Sequence, residues 1–268
     1  MPIKWIRYNR KRYTLDQVLK QKVLEDVYPT PYIHAAIEER KWEKIPSVTQ
    51  CLNGTREEYL KITTDYEIKL DDRVFSIMGT AGHSVLEKSA KEMGLSSEVR
   101  MYSHGMTGQR DLLEEYDGYH RLVDFKFIGA FKAKLLHDDT TKDNAWHEYA
   151  MQLNMYRIMV QNNPEEKREL HPEKPCWLFG LIRDAGAYAS RALNVNYKTF
   201  FTPAPMYTDD EVLEYFHNKR DKLINAIKSD ILPPLCSPRE TWEGRKCKSF
   251  CNVRKECKKH ERISGQTT

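Results

Sequence analysis

The sequence has no run of eighteen apolar residues, so it offers no segment long enough to cross a membrane as a helix. The opening segment, MPIKWIRYNRKRY, contains no apolar stretch of the kind that directs secretion. Internal repeats and low-complexity tracts are also absent, which excludes repeat architectures. We therefore expect an intracellular, cytoplasmic protein, in a compartment where thiols stay reduced.

The chain has 268 residues, of which 40% are hydrophobic and 11% aromatic, enough to form a packed core. Its segments follow the order helix, hairpin, helix, strands and helix, with no obvious linker between them. This order predicts one mixed α/β domain over residues 1–268. Within it we expect a helical region at 1–78, a core at 79–204, and a helix followed by a Cys-rich segment at 205–268.

Helix signals recur along the chain. GTAGHSVLEKSAKEMG predicts a helix from about Ala81 that ends at the capping residue Gly94. AWHEYAMQLNMYRIMVQN has apolar residues at spacings of three and four, which is typical of an amphipathic helix. Thr208 and Glu211 form a capping box at the start of a later helix. The segments KPCWLFGLIRD and ALNVNYKTFF predict two strands.

The formal net charge is +4, but it is unevenly distributed. Residues 1–12 carry five basic residues and no acid, and residues 239–262 carry nine Lys or Arg against four Glu. Both ends are therefore basic and the middle is mildly acidic. This suits a polyanionic partner, although two solvated basic tails would give the same pattern.

The segment RDLLEEYDGYHRLVDFKF predicts a β-hairpin, because Asp117-Gly118 favours a two-residue type I′ turn. In that register Asp111 lies directly opposite Asp124, with Cβ atoms about 4.5–5.5 Å apart. Lys126 follows Asp124 by two residues and shares its face. The other face is apolar and is expected to be the buried one; it carries Leu112, Val123, Phe125 and Phe127.

Like charges directly opposite each other destabilise a hairpin, so something should compensate for Asp111 and Asp124. A divalent cation between the two carboxylates would do so. The alternatives are a surface on which both aspartates are hydrated, or a register that slips by one residue. On the preceding helix His83 and Glu87 are four residues apart and share a face, as do Gln152 and Tyr156 on the following helix.

Taken in order, GTAGH ending at His83, GQRD ending at Asp111, DFK at 124–126 and QLNMY at 152–156 resemble the motifs of the PD-(D/E)XK nuclease superfamily, specifically of its RecB-like branch. Each motif is short, but their order and spacing together are specific. The resemblance implies an α/β, restriction-endonuclease-like core, in which a mixed central β-sheet is flanked by helices.

The resemblance also implies roles for individual residues. Lys126 would be the catalytic lysine, and Gln152 and Tyr156 would lie near the DNA and the active site. A divalent metal, Mg²⁺ or Mn²⁺, would complete the site. Its implied ligands are His83, Asp111, Asp124 and the main-chain carbonyl of Phe125.

The cysteines extend the resemblance. Clustered thiols in a reducing compartment bind metal more often than they form disulfides. KCKSFCNVRKEC has the pattern C-x3-C-x5-C, and Cys51 lies far upstream. One cysteine before the core and three after it resembles the iron–sulfur RecB-like nucleases, such as the AddB nuclease domain and the CRISPR-associated nuclease of spacer acquisition. The implied ligands of a structural [4Fe–4S] cluster are Cys51, Cys247, Cys251 and Cys257.

Alternatives to this cluster remain at the level of sequence. The first gap in the C-terminal pattern is three residues where the family more often has two, so Cys236 is a reserve ligand. A zinc ion held by Cys247, Cys251, Cys257 and His260 would also fit the spacing. Cys176 lies inside a predicted strand and is expected to be a buried small residue.

The resemblance implies a metal-dependent DNA nuclease. The nucleotide-binding loop G-x-x-x-x-G-K-[ST] of helicases is absent, so we expect a stand-alone exonuclease acting on single-stranded DNA or DNA ends. Recombination, repair, phage DNA processing and CRISPR adaptation are the expected settings, with a recombinase, an annealing protein or CRISPR adaptation proteins as partners, and an oligomer is possible. The alternatives are a sequence- or structure-specific endonuclease and a non-catalytic DNA-binding or assembly subunit.

Overall fold

The computed structural model describes residues 3–39, 41–138, 145–166 and 168–263. Within these ranges eight strands form two sheets. The strands are β1 (Ile3–Tyr8), β2 (Lys11–Thr14), β3 (Tyr66–Ile68), β4 (Ser96–Ser103), β5 (Met106–Tyr116), β6 (Tyr119–Ile128), β7 (Trp177–Ile182) and β8 (Thr199–Pro203).

Helices separate these strands along the chain. They are α1 (Leu15–Leu19), α2 (Thr30–Ile37), α3 (Val48–Leu52), α4 (Thr55–Thr63), α5 (Val74–Glu92), α6 (Ala130–Asp138), α7 (His147–Gln161), α8 (Tyr188–Ala192), α9 (Asp209–Ser229), α10 (Arg245–Ser249) and α11 (Arg254–Ile263). A short 3₁₀ turn, Asp71–Arg73, precedes α5. No helix of the described residues is long and apolar enough to cross a membrane.

The chain forms two compact units. Unit 1 combines residues 1–46, 50–77 and 219–268, and unit 2 combines 47–49 and 78–218. Unit 1 is therefore built from the two basic ends of the sequence, whereas unit 2 contains the predicted hairpin and the helices around it. The α/β composition predicted from sequence is confirmed, with mixed sheets flanked by helices.

Unit 1 contains a three-stranded sheet in the order β2-β1-β3. Strands β1 and β2 pair antiparallel, and β1 and β3 pair parallel although about sixty residues separate them. The core of this unit joins the N-terminal strands to the C-terminal helices, because Ile3 and Ile6 lie in one buried cluster with Leu223 and Val253. The sequence predicted a helical region here, and this sheet was not anticipated.

Unit 2 contains a five-stranded sheet in the order β4-β5-β6-β7-β8. All its pairs are antiparallel except β6 with β7, which is parallel. Helix α7 packs against β4, β5 and β6, and every residue from Ala150 to Val160 is buried. The sequence predicted an amphipathic helix at this position; the helix exists, but it is buried on all sides.

Two predicted boundaries need correction. Helix α5 begins at Val74, seven residues before the predicted start at Ala81, although it ends as expected before Gly94, which has a φ of 73°. The segment ALNVNYKTFF forms a strand only in its last part, because β8 starts at Thr199. The capping box of Thr208 and Glu211 is present at the start of α9.

Candidate functional site

The β5–β6 hairpin adopts the predicted turn and register. Asp117 and Gly118 both have positive φ, 50° and 75°, as a type I′ turn requires. Tyr116 pairs with Tyr119, and the pairing continues to Leu112 opposite Val123. The alternative of a register slipped by one residue is therefore wrong.

The two strands separate at the next position, where Asp111 and Asp124 lie. Strand β6 continues in parallel pairing with β7 from Val123 to Ile128, while the pairing of β5 with β6 ends at Leu112. The main-chain N–H of Phe125 donates to Asp111 Oδ2 over 2.6 Å instead of to a strand partner. The carboxylate of Asp111 is thus held at the point where β5 and β6 diverge.

Both aspartates are buried. Asp111 is 7% exposed and Asp124 is 2% exposed, so the alternative of two hydrated surface carboxylates is wrong. The apolar face is covered as well, since Leu112 and Val123 pack with Ala90 of α5. Burial and then the charge of Asp124 raise the pKa of Asp111 to about 7. Such a shift is typical of two carboxylates that repel each other, and a bound cation would reduce this repulsion.

Lys126 is the ionic partner of Asp124. Its Nζ lies 2.5 Å from Asp124 Oδ2, and its side chain is 21% exposed. Burial acts to lower the pKa of Lys126, but the charges of Asp124 and Asp111 outweigh it, and the net shift is upward. The side chain is therefore a permanent ammonium group beside two carboxylates.

His83 reaches the same place from α5. Its Nδ1 lies 3.6 Å from Asp111 Oδ2, and its ring contacts Phe127 with centroids 5.7 Å apart. The preceding residue, Gly82, faces the Phe127 ring, and a Cβ there would lie only 1.9 Å from its Cζ. Gly82, the second glycine of the GTAGH motif, therefore lets α5 approach β6 closely enough for His83 to reach Asp111.

Glu98 is a site residue that the sequence interpretation missed. Its Oε1 lies 3.4 Å from His83 Nδ1, and its other oxygen accepts from Gln109. The hydrogen bond to His83 and the one to Gln109 outweigh the effect of burial and lower the pKa of Glu98. Glu87, which lies four residues after His83 on α5, pairs instead with Lys91.

Glu98 reaches the site because β4 pairs with β5. In this pairing Ser97 lies opposite Leu112 and Val99 lies opposite Arg110. Glu98, between the first members of these pairs, is therefore placed opposite Asp111. One ligand atom each from His83, Glu98 and Asp111 lies within 4.8 Å of the other two. These three residues form a candidate site for a divalent cation, and Asp124, predicted as a ligand, is directed to Lys126.

Arg110 anchors the strand that carries Asp111. It is 1% exposed, and its guanidinium donates to the carbonyl of Ser96 over 2.9 Å and to Glu166 over 2.6 Å. A buried cation with these partners fixes β5 against β4, because removing a partner would leave a charge unpaired. Nothing in the sequence pattern marked Arg110 as buried.

Helix α7 closes the site on another side. Gln152 and Tyr156 share a helix face, as their four-residue spacing predicted, and Gln152 Nε2 donates to the hydroxyl of Tyr156 over 3.0 Å. Burial, followed by the charge of Asp124, raises the pKa of Tyr156. Lys126 Nζ also lies 6.0 Å from the ring centroid of Tyr149. The predicted residues His83, Asp111, Asp124, Lys126, Gln152 and Tyr156 therefore all lie around the end of one hairpin.

Comparison with known proteins identifies this arrangement. A family model described as the PD-(D/E)XK nuclease superfamily matches residues 15–258. The chain belongs to the PD-(D/E)XK nuclease superfamily. No curated protein matches. A solved structure described as the crystal structure of SSO0001 is similar, with 15% sequence identity, a TM-score of 0.45, and coverage of 88% of this chain and 94% of that chain.

The superfamily uses divalent metals, and the donors of this PD-(D/E)XK nuclease fit that chemistry. Two carboxylates and one imidazole are ligands that Mn²⁺ accepts, and carboxylates are the ligands that Mg²⁺ prefers. The site also places an ammonium group, that of Lys126, next to the carboxylates. The architecture is consistent with a restriction-endonuclease-like core.

The cysteines of this PD-(D/E)XK nuclease, except Cys176, lie in unit 1. Cys51 is 1% exposed, and Cys251 and Cys257 pack against the buried cluster of that unit. Burial raises the pKa of the Cys51 and Cys251 thiols to about 12. Cys176 is buried in unit 2, as predicted, although it directly precedes β7 and does not lie inside the strand.

The C-terminal segment is bonded to the residues that follow Cys51. Arg56 donates to the carbonyl of Pro233 over 3.3 Å and to that of Cys257 over 3.5 Å. Cys236 Sγ lies against Gly54, where an added Cβ would be 2.3 Å from the sulfur. Residues 51–57 and the C-terminal cysteines therefore share one region of unit 1.

The spacing of the sulfurs bears on the zinc alternative. Tetrahedral zinc has Zn–S bonds of about 2.3 Å, which places its sulfurs roughly 4 Å from each other. Across the described residues, no three cysteine sulfurs lie within 4.8 Å of one another, and His260 is exposed. The zinc site made from Cys247, Cys251, Cys257 and His260 stays a prediction.

Proposed function

We propose that the protein is a divalent-metal-dependent deoxyribonuclease that hydrolyses phosphodiester bonds. The observation that carries this proposal is the meeting of Asp111, Asp124 and Lys126 where β5 and β6 separate, in a chain that belongs to a nuclease superfamily. Buried like charges beside a fixed ammonium group are costly to maintain. They are useful where a cation and a phosphate have to be bound.

His83, Glu98 and Asp111 would hold the metal, with Asp124 and the carbonyl of Phe125 as further ligands proposed from the family resemblance. A bound Mg²⁺ or Mn²⁺ would supply Lewis acidity and lower the pKa of a coordinated water. Glu98 Oε1 accepts a hydrogen bond from His83 Nδ1, and this bond would give way to coordination when a cation binds both side chains.

Lys126 would stabilise the negative charge that develops on the scissile phosphate. Its raised pKa supports this electrostatic role, because an ammonium group donates protons and does not accept them. Tyr156 and Gln152 form one hydrogen-bonded pair. The charges of Asp124 and Lys126 both affect the pKa of Tyr156. They would orient Lys126 or the nucleic-acid strand.

We propose an exonuclease that acts on single-stranded DNA or on DNA ends, working in the cytoplasm in recombination, repair, phage DNA processing or CRISPR adaptation. The resemblance of the four motifs to the RecB-like branch supports this finer assignment. Partner proteins from these processes, and an oligomer, are part of the same proposal.

A [4Fe–4S] cluster held by Cys51, Cys247, Cys251 and Cys257 belongs to the proposal, with Cys236 as a reserve ligand. The arrangement of one cysteine before the core and three after it, which resembles the iron–sulfur RecB-like nucleases, supports this cluster. When bound, the cluster would cross-link the residues around Cys51 to the C-terminal segment. Arg56 already holds these two parts of unit 1 together.

Cleavage of labelled DNA tests the function. Wild type, Asp124→Ala and Lys126→Ala would be incubated with end-labelled single-stranded, duplex and circular DNA, with Mg²⁺ or Mn²⁺. We expect metal-dependent loss of linear DNA by wild type and none by either variant. Lys88→Ala is the matched control, because Lys88 is a 79% exposed lysine on α5.

Each remaining outcome is informative. Cutting of circular DNA would replace the exonuclease by an endonuclease. Equal cleavage by wild type and Lys126→Ala would show that the hairpin is not the active site. A cluster-loaded wild type that binds DNA but cuts nothing with either metal would contradict the nuclease proposal.

A further inference from the structure

The two basic segments of the sequence meet in unit 1 at one carboxylate, that of Glu67 on β3. Arg7 Nη1 from β1 lies 3.1 Å from Glu67 Oε1, and Arg12 Nε from β2 lies 3.4 Å from Oε2. Lys255 from α11 also bonds Oε1. We call Arg7, Arg12 and Lys255 the Glu67 cation cluster.

The charges in this cluster are not balanced. Three cations surround one carboxylate, so a surplus of two positive charges remains within a few ångströms. The side chains are 36% exposed for Arg7, 48% for Arg12 and 51% for Lys255. Three other exposed lysines of unit 1 each pair with one acid; the pairs are Lys20–Asp16, Lys22–Glu25 and Lys69–Asp72. The cluster therefore carries more positive charge than these balanced pairs, and a bound anion would offset the surplus.

Arg12 of the cluster is also held in place by an aromatic ring. The guanidinium carbon of Arg12 lies 3.7 Å from the ring centroid of Trp5, and Lys4 Nζ lies 5.6 Å from the same ring. A side chain that is already ordered loses less entropy when it binds a ligand. Two of the three cations are arginines, whose planar group matches the oxygens of a phosphate.

We propose that the Glu67 cation cluster binds the phosphate backbone of DNA, outside the cleavage site of unit 2. The proposal rests on the proposed function, because a deoxyribonuclease provides the polyanion that the surplus charge requires. The cluster makes no contact with bases in this proposal, so its binding is independent of sequence. The two distant basic segments thus build one surface and are not two separate tails.

The salt dependence of DNA binding tests this inference. Binding of a fluorescent single-stranded oligonucleotide would be measured by anisotropy in EDTA, over a series of NaCl concentrations. Each phosphate contact on a single strand contributes about 0.7 to the slope of log K against log salt. The triple variant Arg7→Gln/Arg12→Gln/Lys255→Gln should therefore lower that slope by about 2.

The control removes the same charge from balanced sites, with the triple variant Lys20→Gln/Lys22→Gln/Lys69→Gln. It should keep the wild-type slope. If the cluster variant is unstable by circular dichroism, Lys255→Gln alone should lower the slope by about 0.7. An equal fall in both triple variants, or an unchanged slope in the cluster variant and in Lys255→Gln, would overturn the inference.

The same binding assay distinguishes DNA from an acidic protein as the partner, and it distinguishes this inference from the proposed function. Poly-glutamate that displaces the oligonucleotide at equal charge concentration would assign the surface to an acidic protein and overturn the DNA assignment. A wild type that binds with the expected difference in slope, yet cuts no DNA when Mg²⁺ or Mn²⁺ is added, would contradict the proposed function and support the inference on binding.

Discussion

The contact between Gly82 and Phe127 makes a sharp prediction, because α5 contains a second glycine for comparison. A Cβ added at Gly82 would lie 1.9 Å from Phe127 Cζ, whereas nothing lies within 4 Å of a Cβ added at Gly79. Alanine in place of glycine inside a helix gains about 0.8–1.0 kcal/mol at either position. At Gly82 alone, the overpacking costs about 1–3 kcal/mol.

The helix gain is common to Gly79→Ala and Gly82→Ala and cancels between them. Gly82→Ala should therefore be about 1–3 kcal/mol less stable than Gly79→Ala, measured by urea unfolding without metal. Moving the Phe127 ring also disturbs His83, which packs on it, so Gly82→Ala should need more metal for cleavage while Gly79→Ala should not. Equal unfolding midpoints for the two variants would refute the steric reasoning.

Three further predictions concern charge, metal and iron. The pKa of Asp111 is raised to about 7 in the metal-free native state. Between about pH 4 and 7 the native state therefore keeps a proton on Asp111 that the unfolded chain has lost. The free energy of unfolding consequently falls as the pH rises through this window. Asp111→Asn should therefore be more stable than wild type in EDTA at pH 8, with a free energy of unfolding that is higher by at least about 1 kcal/mol, and it should lose cleavage. Equal free energies of unfolding at pH 8 would contradict this. Glu98→Gln should raise the Mn²⁺ concentration for half-maximal cleavage about 10–100-fold, whereas the exposed Glu92→Gln on α5 should not, and identical metal titrations would exclude Glu98 from the site. Cys51→Ser should lose iron and visible absorption after anaerobic purification, with Cys176→Ser as the control that retains both; equal iron in the two variants would remove Cys51 from the ligand set.

The hairpin could be read from the sequence because its signals are local. The turn depends on two adjacent residues, Asp117 and Gly118, and the register then follows from alternation along each strand. The capping box of Thr208 and Glu211 is equally local. For the same reason the grouping of Asp111, Asp124 and Lys126 was predictable once the turn was assigned.

Features that depend on distant pairing were not predictable. Glu98 has a φ of 51°, which a glutamate seldom adopts, and it reaches His83 only through the pairing of β4 with β5. The pairing of β1 with β3 joins segments about sixty residues apart, and no local signal marks it.

The misreading of α7 has a different physical cause. Polar residues in a helix normally mark its solvated face. Here Asn154 donates to the carbonyl of Pro205 and Arg157 donates to Asp209, so both side chains are buried with polar partners. A periodicity argument cannot distinguish such residues from exposed ones.

The discontinuous composition of unit 1 has a consequence for the order in which the protein folds during synthesis. Ile3 and Ile6 complete their buried cluster only with Leu223 and Val253. At about 5–20 residues per second, the ribosome needs roughly 7–30 s to make the intervening residues 78–218. Unit 2, whose residues form one nearly continuous stretch, is ready to fold first. The Glu67 cation cluster forms later, because Lys255 follows all residues of unit 2 in the chain.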